Sequence, residues 1–456
     1  MDKRTDKFIL IKYKFALPMI LLSGIMFLIL AWKMDATAGP DEVFRYKVAE
    51  WIAVNNRLPT GFEEELVNPV WCYSYAFTPY LPSILAAFFI KVFSLFTSEP
   101  QSLLFASRLV NVFAGMGTIF VALRAGDKLF ENKGSVCFFA AVAAYLPQFT
   151  FLSGYLNNDV MTALSAFMIL DAVLEGKRSG WTFKNMLYLA AGTGICMLTY
   201  YFGYGWVLFA VAGFFYTSLQ SEKDRKQTFK KAGITALLVF AVAGWYFIRN
   251  GIIYHGDFLG YNAQTECMRI YSESHNARPA NNPGFISMHL RDMLHNGRWI
   301  ETTTESFIGM FGGMIICLDG KFYDFYITAF WMCIFLFVLY RYRTKEKIKT
   351  PFILMLLFEI AFPIVFSIYS SYMRDYAPQG RYVIAVLPAV AVFTAVGIDE
   401  FSKALSERYK WGKHFPMIAS VTLLLVFGVI FYTVILPTLC FIYLPGADKV
   451  FFYYVR

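Results

Sequence analysis

The chain has 456 residues, 57% of them hydrophobic, with 48 Phe, 29 Tyr and a mean hydropathy of +0.49. An ordinary soluble domain, with an apolar share of about 45–50%, is excluded. The formal charge of +9 does not mark a nucleic-acid surface, because its Lys and Arg lie in short loops between apolar runs, where they set membrane topology and meet anionic headgroups.

In chain order, a basic leader (Lys3, Arg4, Lys7, Lys12, Lys14) precedes a first apolar run at 15–32. That run is longer than the about 7–15 residues of a signal-peptide core, so a transmembrane helix is preferred to a signal peptide cleaved near "ATAG" (36–39). Further spans are expected at 105–123, 135–153, 160–174, 186–200, 204–219, 233–249, 322–340, 351–368, 382–398 and 415–436. The expected class is therefore an all-α polytopic membrane protein, a single transmembrane domain over 1–456 with about eleven helices and external juxtamembrane helices. The apolar run Tyr80 to Phe96 is the ambiguous one, since counting it as a span reverses the side of everything after it. Laid flat, with Lys91 reaching headgroups, it lets 25 of the 41 Lys and Arg fall in short loops on one side. The N terminus is then cytoplasmic. The first loop (33–104, with interfacial helices), a second large loop (250–321, including "HNARPANNPGF" and "HLRDMLHNGRW") and a short tail (437–456) are external.

The outer face gathers the candidate chemistry. In "TAGPDEVFRY" the Gly39-Pro40 turn ends the first helix and presents Asp41 and Glu42. Read alone, Asp41 is equally an N-cap and Glu42 a solvated first-turn acid. Asp159, after Asn157 and Asn158, stands between apolar helices, where a charge is costly unless used or paired; its own alternative is again a cap. Gln379, Arg381 and Tyr382 open a late apolar helix, and Arg381 suits a phosphate, whether of a substrate or of bulk lipid. Arg108, Arg249, Arg374, His295 and Arg298 also lie on or near this face. Asn158, Gln379, Tyr382, His295 and Arg298 are the candidates for sugar or acceptor contact. Tyr46, Trp51, Trp71, Tyr73, Tyr75, Tyr261 and Trp299 either stack on sugar rings or form a headgroup belt. The seven cysteines show no metal spacing; Cys72 and Cys267, both in external loops, are the one pair open to bridging.

The ordered set of an external "PDE" turn, a flat helix, "ASRLVNVFAG", an external "NND" and a late "QGRYVIAVLP" resembles the polytopic glycosyltransferases of GT-C type, over roughly residues 15 to 400. These include protein mannosyltransferases and the lipid A aminoarabinose transferase. The resemblance implies a GT-C fold in a bacterial plasma membrane, with an external site. It implies transfer of a sugar from a polyprenyl-phosphate donor to a glycan, lipid or protein acceptor, with inversion. Asp41 would be base or metal ligand, Glu42 its neighbour, Asp159 the second acid, and Lys91 and Arg381 the phosphate holders. Many bacterial relatives carry His where this chain has Arg45, which removes a metal ligand and adds a phosphate-binding cation. A divalent cation (Mg or Mn) held by Asp41 and Asp159 stays open at this point, with Arg45 in the motif leaning against it. The rival readings are a flippase for a lipid-linked saccharide, which should carry ionisable groups at mid-membrane, and a noncatalytic membrane subunit of the same fold.

Overall fold

The computed structural model describes residues 12–221, 224–275, 287–344 and 349–440. Lys3, Arg4 and Lys7 of the leader, most of "HNARPANNPGF" and the tail from 441 lie outside the described residues.

The fold is all-α. Strand pairing among the described residues is confined to a two-residue antiparallel ladder, Met310–Phe311 with Ile316–Cys317. The main helices are α1 (Ala16–Lys33), α2 (Glu42–Asn55), α3 (Leu81–Phe93), α4 (Pro100–Leu129), α5 (Lys133–Ala144), α6 (Pro147–Ser153), α7 (Asp159–Ser179), α8 (Phe183–Thr199), α9 (Gly205–Ser221) and α10 (Arg225–Ile253). They continue with α11 (Tyr261–His275), α12 (Leu290–Leu294), α13 (Trp299–Gly309), α14 (Gly320–Leu339), α15 (Thr350–Met373), α16 (Leu387–Ser406) and α17 (Phe415–Ile430).

The expected spans fall on helical segments, 135–153 on α5 with α6 and 382–398 on the tight turn Gly380–Val386 with α16, yet the count of eleven is not established. Among the described residues eight helices are long and apolar enough to cross a membrane, and α5 with α6 makes a ninth if the bent pair is one span. The bend is 62°. Its cause is Pro147, which cannot continue the hydrogen-bond ladder and holds Leu146 extended at φ −82°, ψ 116°. The remaining two expected spans are α7 and α8. Helix α8 has 17 residues, and α7 carries Asp159 at its start, Asp171 paired with Arg124 and Lys128, and Glu175, Lys177 and Arg178 in its last turns, the latter two exposed.

The leader and the basic loops at 124–134, 175–185 and 399–414 meet at one end of the bundle: Lys12 pairs with Asp127, Lys128 with Asp171 and Glu175, and Asn132 Nδ2 donates to the Lys413 carbonyl at 3.0 Å. The starts of α2 and α7 lie at the other end. Helix α3 packs on α2 and α4 through Ser83, Ala86, Ala87 and Ile90, and turns Leu85, Phe88 and Val92 outward. An apolar outer face of this kind suits lipid contact. Cys72 and Cys267 are buried free thiols, with no bond between them.

Candidate functional site

Pro40 leaves Asp41 in the left-handed region, at φ 64°, where an Asp is tolerated at some cost. In this conformation the Asp41 side chain makes no cap bond to α2. Its carboxylate instead accepts a hydrogen bond from Arg381 Nη2 at 2.5 Å, across 340 residues of sequence. The turn is tight: a Cβ on Gly39 would lie 2.6 Å from the Tyr155 ring. Gly380 does the same for Arg381, since a Cβ there would strike the backbone of Phe307 on α13, while its N–H donates to Ser306 Oγ at 2.7 Å.

Glu42 has a different fate from its neighbour. Both its oxygens are bonded by Arg108, from Nε and Nη2, each at 2.7 Å, and the Leu156 N–H donates to it at 2.9 Å. Both side chains are fully buried. The remaining Arg108 donors go to the carbonyls of Ala31, Met34 and Asp35, the unsatisfied end of α1. Glu42 is thus a joint between α1, α2, α4 and the turn before α7, not a solvated acid. Arg108 spends all five of its N–H donors on that joint.

Around Asp41 the side chains are less completely paired. Arg381 is bonded by Gln379 Oε1 (2.6 Å), the Pro40 carbonyl (3.2 Å), Asp41 and the Tyr382 hydroxyl (3.3 Å). Arg45, one turn along α2 and 4% exposed, rests its guanidinium 4.7 Å from the centre of the Tyr75 ring, and its Nε and Nη1 have no hydrogen-bond partner. Burial raises the Asp41 carboxyl, but the charges of Arg381 and Arg45, with hydrogen bonds from Arg381 and Tyr75, outweigh it and hold the group below the ordinary Asp value. Asp159 opens α7 without capping it: Asn157 Oδ1 accepts from the N–H groups of Asp159 and Val160 at 2.9 and 3.2 Å. The buried Asp159 carboxylate lies in the field of Arg381, Arg45 and Asp41, with Oδ1 unpartnered. Asn158 donates to the carbonyls of Pro79 and Thr199, tying α3 and α8 to this turn. Tyr382 stacks on Phe202 at 4.9 Å and 12°, with Tyr200 beside both.

Asp41, Arg45, Asp159, Gln379, Arg381 and Tyr382 therefore come together, while three candidates do not join them. Lys91 bonds Asn56, at the far end of the 14-residue α2, about 20 Å from Asp41 at 1.5 Å per residue. Arg298 is exposed and paired with Glu301 at 2.6 Å. His295 lines a surface crevice with Arg291, Asp292 and Asn296. Tyr155 and Tyr200, which sequence reasoning passed over, are part of the cluster.

A divalent cation does not fit this donor set. Asp41 and Asp159 already face two guanidiniums, one Asp41 oxygen is taken by Arg381, and no group of three His, Cys, Asp or Glu suited to a metal occurs among the described residues.

Residues 39–390 match a family model described as "Predicted membrane protein (DUF2142)". The chain belongs to this family. No curated protein matches it. Among solved structures, it is similar to the Archaeoglobus fulgidus oligosaccharyltransferase carrying a tethered acceptor peptide, at TM-score 0.54 and 14% identity, over 91% of this chain and 54% of the other. The chain thus spans about half of that enzyme's length. It is also similar to ArnT from Cupriavidus metallidurans bound to undecaprenyl phosphate (TM-score 0.53, 12% identity, 97% and 76% covered) and to the archaeal enzyme AglB in complex with an inhibitory peptide and dolichol phosphate (0.54, 13%, 98% and 60%). At these identities the likeness shows the fold: this DUF2142 protein is a membrane protein with the GT-C glycosyltransferase fold.

Proposed function

We propose that this DUF2142 protein transfers a sugar from a polyprenyl-phosphate donor to an acceptor hydroxyl at the outer membrane face, by a single inverting displacement. The observation that carries the reading is the pairing of Asp41 with Arg381 next to the unspent N–H groups of Arg45. A carboxylate and two guanidiniums then stand side by side, the pairing that base-assisted displacement of a phosphate leaving group requires. The acceptor oxygen bonds to the anomeric carbon as the bond from that carbon to the phosphate oxygen breaks. The acceptor proton goes to Asp41. The polyprenyl phosphate leaves as an anion, whose added charge meets the Arg45 and Arg381 guanidiniums. A carboxylate held below its ordinary value suffices as base, because the attacking hydroxyl turns acidic as its new bond forms.

The outer-face assignment is supported by the basic loops at the opposite end of the bundle. The two large loops, 33–104 and 250–321, then frame the acceptor side. A flippase is less well supported, since this charge cluster sits at one end of the helices, where α2 and α7 begin. The test is Asp41→Asn in the full chain: transfer from a polyprenyl-phosphate sugar falls ~10²–10⁴-fold with the fold retained. Unchanged transfer removes Asp41 as base.

A further inference from the structure

We propose that Asp159 and Tyr155, with the wall of Tyr200, Phe202 and Tyr382, form the subsite for the donor's sugar, and that this sugar is an uncharged, hydroxylated ring. The inference rests on the polyprenyl-phosphate reading above. Because Asn157 caps α7, the Asp159 side chain is released from the duty its position suggests. It is 3% exposed, and its Oδ1 has no partner. Tyr155 is fully buried and its hydroxyl is likewise bare. Polar atoms are rarely buried unsatisfied, and one bare acceptor and one bare hydroxyl in the field of the same Arg381 and Asp41 mark a place where a polar ligand completes the bonding. A ring hydroxyl does so, donating to Asp159 and accepting from Tyr155. The bare N–H groups of Arg45 remain for the phosphate.

The wall supplies the second contact a sugar needs. Tyr200 and Tyr382 are half-buried, their centroids 6.3 Å apart, with Phe202 4.9 Å from Tyr382. Phe202 backs Tyr382, and the uncovered part of the two half-buried tyrosines is the surface that takes the C–H face of a pyranose. Charge then selects the class. Asp159 lies in the field of Arg381 and Arg45, whose guanidiniums repel an ammonium-bearing sugar, while a carboxylated sugar meets Asp159 and Asp41. What Asp159 offers is a hydrogen-bond acceptor, not net charge.

The test compares binding of undecaprenyl phosphate, its neutral glucosyl ester and a 4-amino-sugar ester to the full chain in nanodiscs. The glucosyl ester should bind at least about tenfold tighter than the bare lipid, and the amino-sugar ester should gain nothing. Asp159→Ala and Tyr155→Phe should each erode that gain and leave bare-lipid binding intact, which also reports that they fold; Arg45→Ala should weaken both lipids alike. Equal loss for both lipids in Asp159→Ala, no gain for the glucosyl ester in the unaltered protein, or an equal gain for the amino sugar overturns the subsite. If bare undecaprenyl phosphate itself fails to bind, the donor reading falls with it; if it binds while the sugar adds nothing, the donor reading stands and only the subsite falls.

Discussion

Asp41 and Glu42 are adjacent in the chain, and each is paired with a distant arginine, yet the two pairs are built for opposite ends. The Glu42–Arg108 pair is sealed: both side chains are fully buried and every donor and acceptor is matched. The Asp41–Arg381 pair is open: the Asp41 side chain keeps 23% of its surface, and beside it Arg45 and Asp159 hold polar atoms that bond nothing. A complete pair can only hold structure. An incomplete cluster around an acid in a left-handed turn is where the proposed transfer is placed.

The comparison is broken most directly through the sealed pair. Glu42→Ala or Arg108→Ala leaves an uncompensated charge in the joint between α1, α2 and α4, and should cost about 3–5 kcal/mol. Thermal unfolding in detergent reads this, and a variant that keeps its melting temperature would show the joint to be dispensable. Arg45→Ala should spare the fold and weaken polyprenyl-phosphate binding ~10–100-fold, the worth of charge-assisted hydrogen bonds.

The open pair also makes a prediction in pH. The folded Asp41 carboxyl lies below its ordinary value, so its charged form stabilises the site above the unfolded value, and that stabilisation is lost as pH falls through the folded one. The part of the acid limb that Asp41 sets should therefore fall below the ordinary carboxylate range. Arg381→Gln removes the nearest positive charge and should move that limb to higher pH; an unmoved limb would detach Arg381 from Asp41. The smallest effect belongs to Lys91→Ala, which should alter stability and transfer within about 0.5 kcal/mol, since Lys91 is exposed and its ammonium bonds Asn56, away from the site.

Much of this was legible in the residues. Asp41, Asp159 and Arg381 stood out because charges beside apolar helices are costly, and the loop charges put all three on one face. Sequence could not say which acid of "PDE" would be spent, because that depends on Arg108 reaching the free carbonyls of Ala31 and Met34, a contact across more than seventy residues. The resemblance grouped Lys91 with Arg381 as phosphate holders, and the length of α2 separates them. Tyr155 and Tyr200 carried no signal in a chain with 29 Tyr and 48 Phe, where any one aromatic reads as belt or core. Only packing shows which hydroxyl is left bare.

The central claim is that Asp41, not its neighbour, performs the chemistry. The most direct measurement is sugar transfer by Asp41→Asn, reconstituted in liposomes with labelled polyprenyl-phosphate donors, alongside its thermal unfolding. The expected result is transfer lowered ~10²–10⁴-fold at an unchanged melting temperature with donor binding retained. Transfer at the unaltered rate, or loss of the fold with the activity, would contradict it.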